Sequence, residues 1–454
     1  MERRAFIRLS LGAGAALMLP GMGYGAGVDL DKVRFSRSVY DANKAQTIIV
    51  FLYGGPSQLA GNLTNLSRIE TYSQNSYADY FRGITPTQNG CWEEAGGSDM
   101  ERLLADGDMT LFRSCYSQVR ERANNKAHGI CVEQNQKGSF DTDGGGIVAN
   151  LAAVLHARGA VGSDTVMPFV TMEGESAFYT EGSVALPGYL KPVGINERFD
   201  NPYARNVRNG IYYTDEEKQH EGYWKNDEEG GFDPALSAKM DALAQQNNAP
   251  GMIKEAFARR GELATFMNEI AAAQTPDLGE DAYPQRDPFA LRIEAAIKLL
   301  DKNPDTRIVT LGTGGLGGWD DHNAARGYVD RMAALFRALR SGMAHLRALG
   351  KEGTVNIMVF GEFGRNVNLN SAYGWDHGNL QNLYVLGGKN YWTHRGIVGE
   401  TVVDNTGQLN RLWLKPKPGS EWFEPPAIAA TLYAIYGIEN PEILTGGYGP
   451  IPIG

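Results

Sequence analysis

Apolar residues in this chain gather into short unbroken runs that end in glycine. TIIVFLYGG (47–55) is the first, and a continuous run closed by two glycines predicts a strand buried on both faces that enters a loop. MTLFRSCYS (109–117), VMPFVTM (166–172), RIVTLGTGG (307–315), VNIMVFGEFGR (355–365) and NLYVLGG (382–388) repeat the type. Between them the apolar spacing shifts to three and four residues. Helices are predicted over 146–160, over 235–274 with a break at Pro250, over 289–304, over about 327–350 and over 426–437. Strands alternating with helices predict an α/β fold, a mostly parallel sheet flanked by helices on both faces. The polar, glycine-rich stretches 56–105 and 173–232 lack either period and are expected to be long insertions over that sheet.

Composition adjusts this picture in three places. The 56 glycines are roughly 12% of the chain against a usual value of about 7%, which implies many tight turns. The opening MERRAFIRLSLGAGAALMLPGMGYGAG, with Arg3-Arg4 ahead of a weakly apolar run too short to span a bilayer, predicts a twin-arginine export signal over residues 1–26. Residues 27–454 would then form one α/β domain in the periplasm or at the cell surface, with no later transmembrane segment. Loss of Glu2, Arg3, Arg4 and Arg8 moves the formal charge from -10 to -12. That acidity, with no basic tract, excludes nucleic acid as a partner. Cys91, Cys115 and Cys131 follow no metal-ligand spacing and allow one disulfide and a free thiol, or three buried thiols.

Candidate chemistry lies where predicted strands end. GGWDDHNAA (317–325) and YGWDHGNL (373–380) write nearly the same phrase twice, each with Asp and His behind a Trp. In extended backbone, residues i and i+2 project to one side, so Asp320 and His322 can aim at a common point. His377 from the second phrase would complete a three-ligand metal set with a position left for water or substrate. Asp321 competes with Asp320 for the carboxylate role. Oxygen plus imidazole suits zinc first, then manganese or iron, with calcium as a further candidate. In GEFGR (361–365), Glu362 is expected to act in catalysis or as a ligand, and Arg365 to hold an anionic substrate or to pair with Glu362.

The twin-arginine opening, GGWDDH, VFGEFGRNVNLNSAYGWDHGN (359–379) and LYVLGG together resemble the exported "domain of unknown function 1501" family. That family looks like a branch of the alkaline phosphatase and sulfatase superfamily, so the resemblance implies an alkaline-phosphatase-like α/β fold. It also implies metal roles for Asp320, His322 and His377, and places Glu362 where an Asp-His pair usually serves a second metal. The alternative assignment makes Asp376-His377 that pair, with His394 as the last ligand.

Two positions depart from the pattern that the resemblance implies. In GGPSQL, Ser57 stands where an Asp is expected. In NKAHGI, Ala127 stands where a Ser or Thr nucleophile is expected, beside His128, which keeps a catalytic role. The sulfatase Cys-x-Pro-x-Arg signature is absent. Alanine has no oxygen for covalent transfer, and Ser57 or Ser114 remain as substitutes. Three readings follow: a one-metal protein with a degenerate nucleophile and second-metal site; an active hydrolase of phosphate or sulfate esters; and a non-catalytic scaffold that binds a partner protein or a glycan.

Overall fold

Along Gln46–Leu52 (β1) every residue is buried, yet neighbours serve different cores. Ile48, Val50 and Leu52 enter one apolar cluster, while Ile49 and Phe51 enter another. A strand sends alternate side chains to opposite faces, so a continuous apolar run feeds two layers at once. Val355–Gly361 (β6) and Leu380–Gly387 (β9) divide in the same way. The computed structural model describes residues 29–72, 76–199, 242, 266–404 and 412–452. The export segment expected at 1–26, residues 200–232 of the second insertion and most of the helix expected over 235–274 lie outside them.

Described strands in chain order are β1, Met109–Tyr116 (β2), Phe169–Thr171 (β3), Val193–Gly194 (β4), Ile308–Leu311 (β5), β6, Gly364–Arg365 (β7), His377–Gly378 (β8), β9, Gly396–Val398 (β10), Thr401–Asp404 (β11) and Trp413–Pro416 (β12). The main sheet runs β10-β2-β9-β6-β1-β5-β3-β4. β9 pairs antiparallel with both β6 and β2, and the other pairs are parallel. This is the mostly parallel α/β sheet that the apolar runs predict. Helices Gly97–Ala105 (α1), Pro288–Lys302 (α4) and Gly327–Ala348 (α5) join the first cluster, and Ile147–Ala157 (α3) and Pro426–Ile435 (α6) the second. Helix α2, His128–Lys137, starts at a cluster residue described below.

The stretch 56–105 is more ordered than its composition predicts. It carries α1, and buries Leu59, Leu63, Trp92 and Met100 in the first core. Cys91, Cys115 and Cys131 are all buried free thiols, which selects the second of their two alternatives. No helix among the described residues is long and apolar enough to cross a membrane.

One buried histidine links this core to pH. His345 of α5 is 1% exposed, with Nδ1 3.1 Å from the Tyr283 hydroxyl. Burial, aided by the Lys298 charge, pushes it down to about 4, with Glu294 and Asp301 opposing. In the unfolded chain an ordinary histidine protonates near 6.5. As pH falls below that value the unfolded state takes up a proton first, so stability is lost between about 6.5 and 4. Denaturant titrations are expected to show about 2 kcal/mol of loss from this residue between pH 7 and 5. His345→Gln should remove that slope; an unchanged slope in the variant would assign the loss to other groups.

Candidate metal centre

Loops leaving the carboxyl ends of the central strands β1, β5 and β6 meet at one point, where open α/β sheets place ligands. Gly54 and Gly55 follow β1 with φ of 105° and 69°. A Cβ on Gly54 would sit 2.5 Å from the Asp320 amide nitrogen, so the loop after β5 closes only over glycine. Trp319 N–H donates to the Tyr53 carbonyl at 3.0 Å and fixes that closure.

Arg365 holds the loops together from beneath. Its Nε donates to Gly55 O at 2.7 Å, Nη1 to Trp375 O at 2.9 Å, and Nη2 to Trp319 O at 3.2 Å and Asp320 Oδ1 at 2.7 Å. Nη2 also donates to Gly54 O. The guanidinium is fully buried with its donors spent on the chain itself. The expectation that Arg365 holds an anionic substrate or pairs with Glu362 is therefore corrected: it braces Asp320 and the strand-end carbonyls.

Above this brace three imidazoles converge. His128 Nδ1 lies 3.0 Å from Glu362 Oε1, His322 Nδ1 lies 3.4 Å from Asp376 Oδ1, and the His377 ring has a backbone partner at Lys126. With one ring nitrogen of each engaged, the others face inward. His322 Nε2 and His377 Nε2 are 2.8 Å apart. Asp320 Oδ1 is 3.3 Å from His128 Nε2 and 3.4 Å from His322 Nε2. Ligand atoms of His128, Asp320, His322 and His377 all lie within 4.8 Å of one another.

Protonation suits a cation at that point. Burial raises the Asp320 pKa, but the hydrogen bond and charge of Arg365, with His128 and His322, more than offset it and keep the carboxylate ionised. Burial first, then the Arg365 charge and the two other histidines, push His377 down to about 4, so its ring is neutral. The 2.8 Å between His322 Nε2 and His377 Nε2 is a distance that a shared proton or a cation bridges. His128 Nε2 is buried without a hydrogen-bond partner. The donor set fits a divalent cation.

Glu362 stands behind His128. Its Oε1 accepts the Gly54 N–H at 2.5 Å as well as facing the imidazole, while Oε2 is buried and unpartnered. Burial raises its pKa against the opposing pull of His128. Its carbonyl is held by Arg120 Nη1 at 2.7 Å and Asn135 Nδ2 at 3.0 Å. Carboxylates at this distance behind a histidine orient the ring.

The two echoing phrases thus supply Asp320, His322 and His377 to one cluster, and His128, expected in catalysis, stands among the ligand atoms. Asp321 turns away to Arg331 at 2.6 Å, which removes it as the ligand. His394 bonds Thr110 Oγ1 at 3.1 Å and Gly387 O at 2.8 Å, which corrects the alternative that made it the last ligand. Ala127 precedes α2 with no side-chain cap. The Ser57 hydroxyl is buried and caps Leu59 N–H at 3.4 Å, and Ser114 donates to Glu421 O at 2.5 Å. Asn135 and Arg120 are the supporting residues that sequence reasoning missed, and Asp376, named there only as an alternative ligand, stands behind His322.

The chain belongs to the family of proteins of unknown function DUF1501, which it matches over residues 44–408. No curated protein matches it. Among solved structures it is similar to Ps i-CgsB in complex with k-i-k-neocarrahexaose, at 10% identity and TM-score 0.37 over 89% of this chain and 74% of that one. It is also similar to the phosphonate monoester hydrolase SpPMH from Silicibacter pomeroyi, at 12% identity and TM-score 0.31 over 90% and 77% of the two chains.

Proposed function

We propose that this DUF1501 protein is an exported, sulfatase/phosphatase-like chain that holds one divalent cation on Asp320, His322 and His377, with His128 as fourth donor. The observation that carries the reading is the convergence of those four ligand atoms within 4.8 Å of one another. Three imidazoles and one carboxylate suit tetrahedral zinc, whereas calcium requires six or more oxygens. A cation there would acidify a water and polarise an ester oxygen. Asp320 and the histidines hold it, Arg365 keeps Asp320 ionised, and Glu362 orients His128. With Ala127 beside His128 and the Ser57 hydroxyl used as a cap, neither expected position supplies a nucleophile for covalent transfer. The activity in keeping with this set is hydrolysis by water of a phosphate or sulfate ester, on a small anionic molecule or a glycan. A twin-arginine route, which carries folded cargo, would let the cation load before export to the periplasm or cell surface.

One observation favours a second reading. Four protein donors can fill a tetrahedral shell, the pattern of structural zinc, and the cluster would then organise loops that bind a partner protein or glycan. Elemental analysis of protein purified without added metal, with turnover of aryl phosphate and aryl sulfate esters, separates the two. We expect about one cation per chain, as a single four-donor cluster holds. Turnover abolished by chelation supports the hydrolase, and a bound cation without turnover under zinc, manganese or calcium leaves the scaffold. Protein free of any cation sinks both.

A further inference from the structure

The three central strands also have a charged cavity at their opposite ends. Gln46 opens β1, Arg307 precedes β5 and Thr354 precedes β6, and all three line a cavity of about 480 Å³ together with Tyr40, Lys44 and Lys351. The carboxylate in its lining, Asp41, is taken by Arg37 at 2.9 Å. Lys44, Arg307 and Lys351 have no acidic partner among the described residues.

Helix ends account for part of this charge. Lys44 caps the helix Arg37–Asn43, Arg307 follows α4 and Lys351 follows α5. A helix carboxyl end carries about half a negative charge, so three of them offset roughly one and a half of the three positive charges. The excess is about one and a half charges, inside a concavity, on a chain of formal charge -10. Arg307 is already in position. Its Nε donates to the Tyr40 hydroxyl at 2.7 Å, its Nη1 donates to Pro304 O at 2.6 Å, and the guanidinium lies 5.6 Å from the Tyr40 ring centroid. Nη2 donates to nothing among the described residues.

We propose that this cavity binds a tetrahedral oxyanion, phosphate or sulfate, free or as a monoester. The free edge of the Arg307 fork takes two oxygens, and Lys44 and Lys351 neutralise the rest. The inference is independent of the metal cluster. Its test is calorimetric titration at low ionic strength with inorganic phosphate and inorganic sulfate, on wild type and on His322→Ala, which disables the cluster as a rival anion site. Saturable binding is expected in both. The double variant Lys44→Ala/Lys351→Ala, whose side chains lie at the rim, should weaken it about 100-fold, roughly tenfold per charge-assisted contact, with circular dichroism and metal content unchanged. Phenyl phosphate as a third titrant distinguishes the ligand's source: tighter binding than inorganic phosphate identifies a monoester site, and equal binding a free-anion site. Absence of saturation in His322→Ala, or wild-type affinity in the double lysine variant, overturns the proposal.

Discussion

His322→Ala, purified without added metal, is expected to carry at most about a tenth of the cation found in the wild type. Removing one donor of four should exceed the roughly 10–100-fold loss of affinity that a supporting group produces, the effect expected of Glu362→Gln behind His128. Stability gives an independent sign. If Asp320 and His322 merely closed a turn, the alanine variant would be weaker in every buffer. A metal cluster predicts otherwise, because the stabilisation then comes from the bound cation, which the four-donor site alone holds tightly. With chelator present, variant and wild type should unfold together. With metal at about 1,000 times its dissociation constant, the wild type alone should gain about 4 kcal/mol. Equal cation content in the two proteins would remove His322 from the site, and a chelator-independent loss of stability would return the turn to a structural role.

The parts of this site that sequence reveals are those encoded by local spacing. Asp320 and His322 share a side in extended backbone, and the second phrase places His377 just before β9, so three donors could be named from two short strings. His128 was legible only as a neighbour of Ala127, because its place among the ligands depends on α2 packing against the end of β6. That helix has little apolar periodicity. It buries Asn135, Gln136 and Lys137, and Asn135 is satisfied by the Gly361 and Glu362 carbonyls. A buried face made of hydrogen bonds leaves no 3.6-residue apolar signal.

Strand boundaries show the same division. The run ending RIVTLGTGG stops as a strand at Leu311, since Gly315, at φ 93°, must pass so close to α4 that a Cβ would meet Phe289 N at 2.6 Å. VNIMVFGEFGR breaks at Gly361, and Gly364–Arg365 turns to pair with His377–Gly378. That small ladder joins GEFGR to the second Asp-His phrase, and neither half of it has a pattern that local reading could detect. The burial of Trp92 within 56–105 has a similar cause: it reaches the core from a short turn, where no period applies, while Met100 is carried in by the short helix α1.

Arg365 carries the second large expectation. Its guanidinium lies under the cluster, and five acceptors surround it: four backbone carbonyls and the Asp320 carboxylate. Deleting it leaves the four backbone carbonyls without that donor. Leaving buried carbonyls without their donor costs about 1–3 kcal/mol, whereas the Asp320 carboxylate, 52% exposed, is re-solvated. Arg365→Ala should therefore lower the unfolding free energy by that amount and, where folded protein survives, lose cation as well, since Asp320 is no longer aimed. Arg365→Lys should recover little, because one ammonium with three donors cannot span carbonyls from four positions. Arg395→Ala supplies the reference: its pair with Glu421 is about one-third exposed on each side and should cost under about 1 kcal/mol. Denaturant midpoints at constant slope make the comparison. A loss for Arg365→Ala no larger than that for Arg395→Ala would mean that the loops reach the metal geometry unaided, and the brace would have no role in the site.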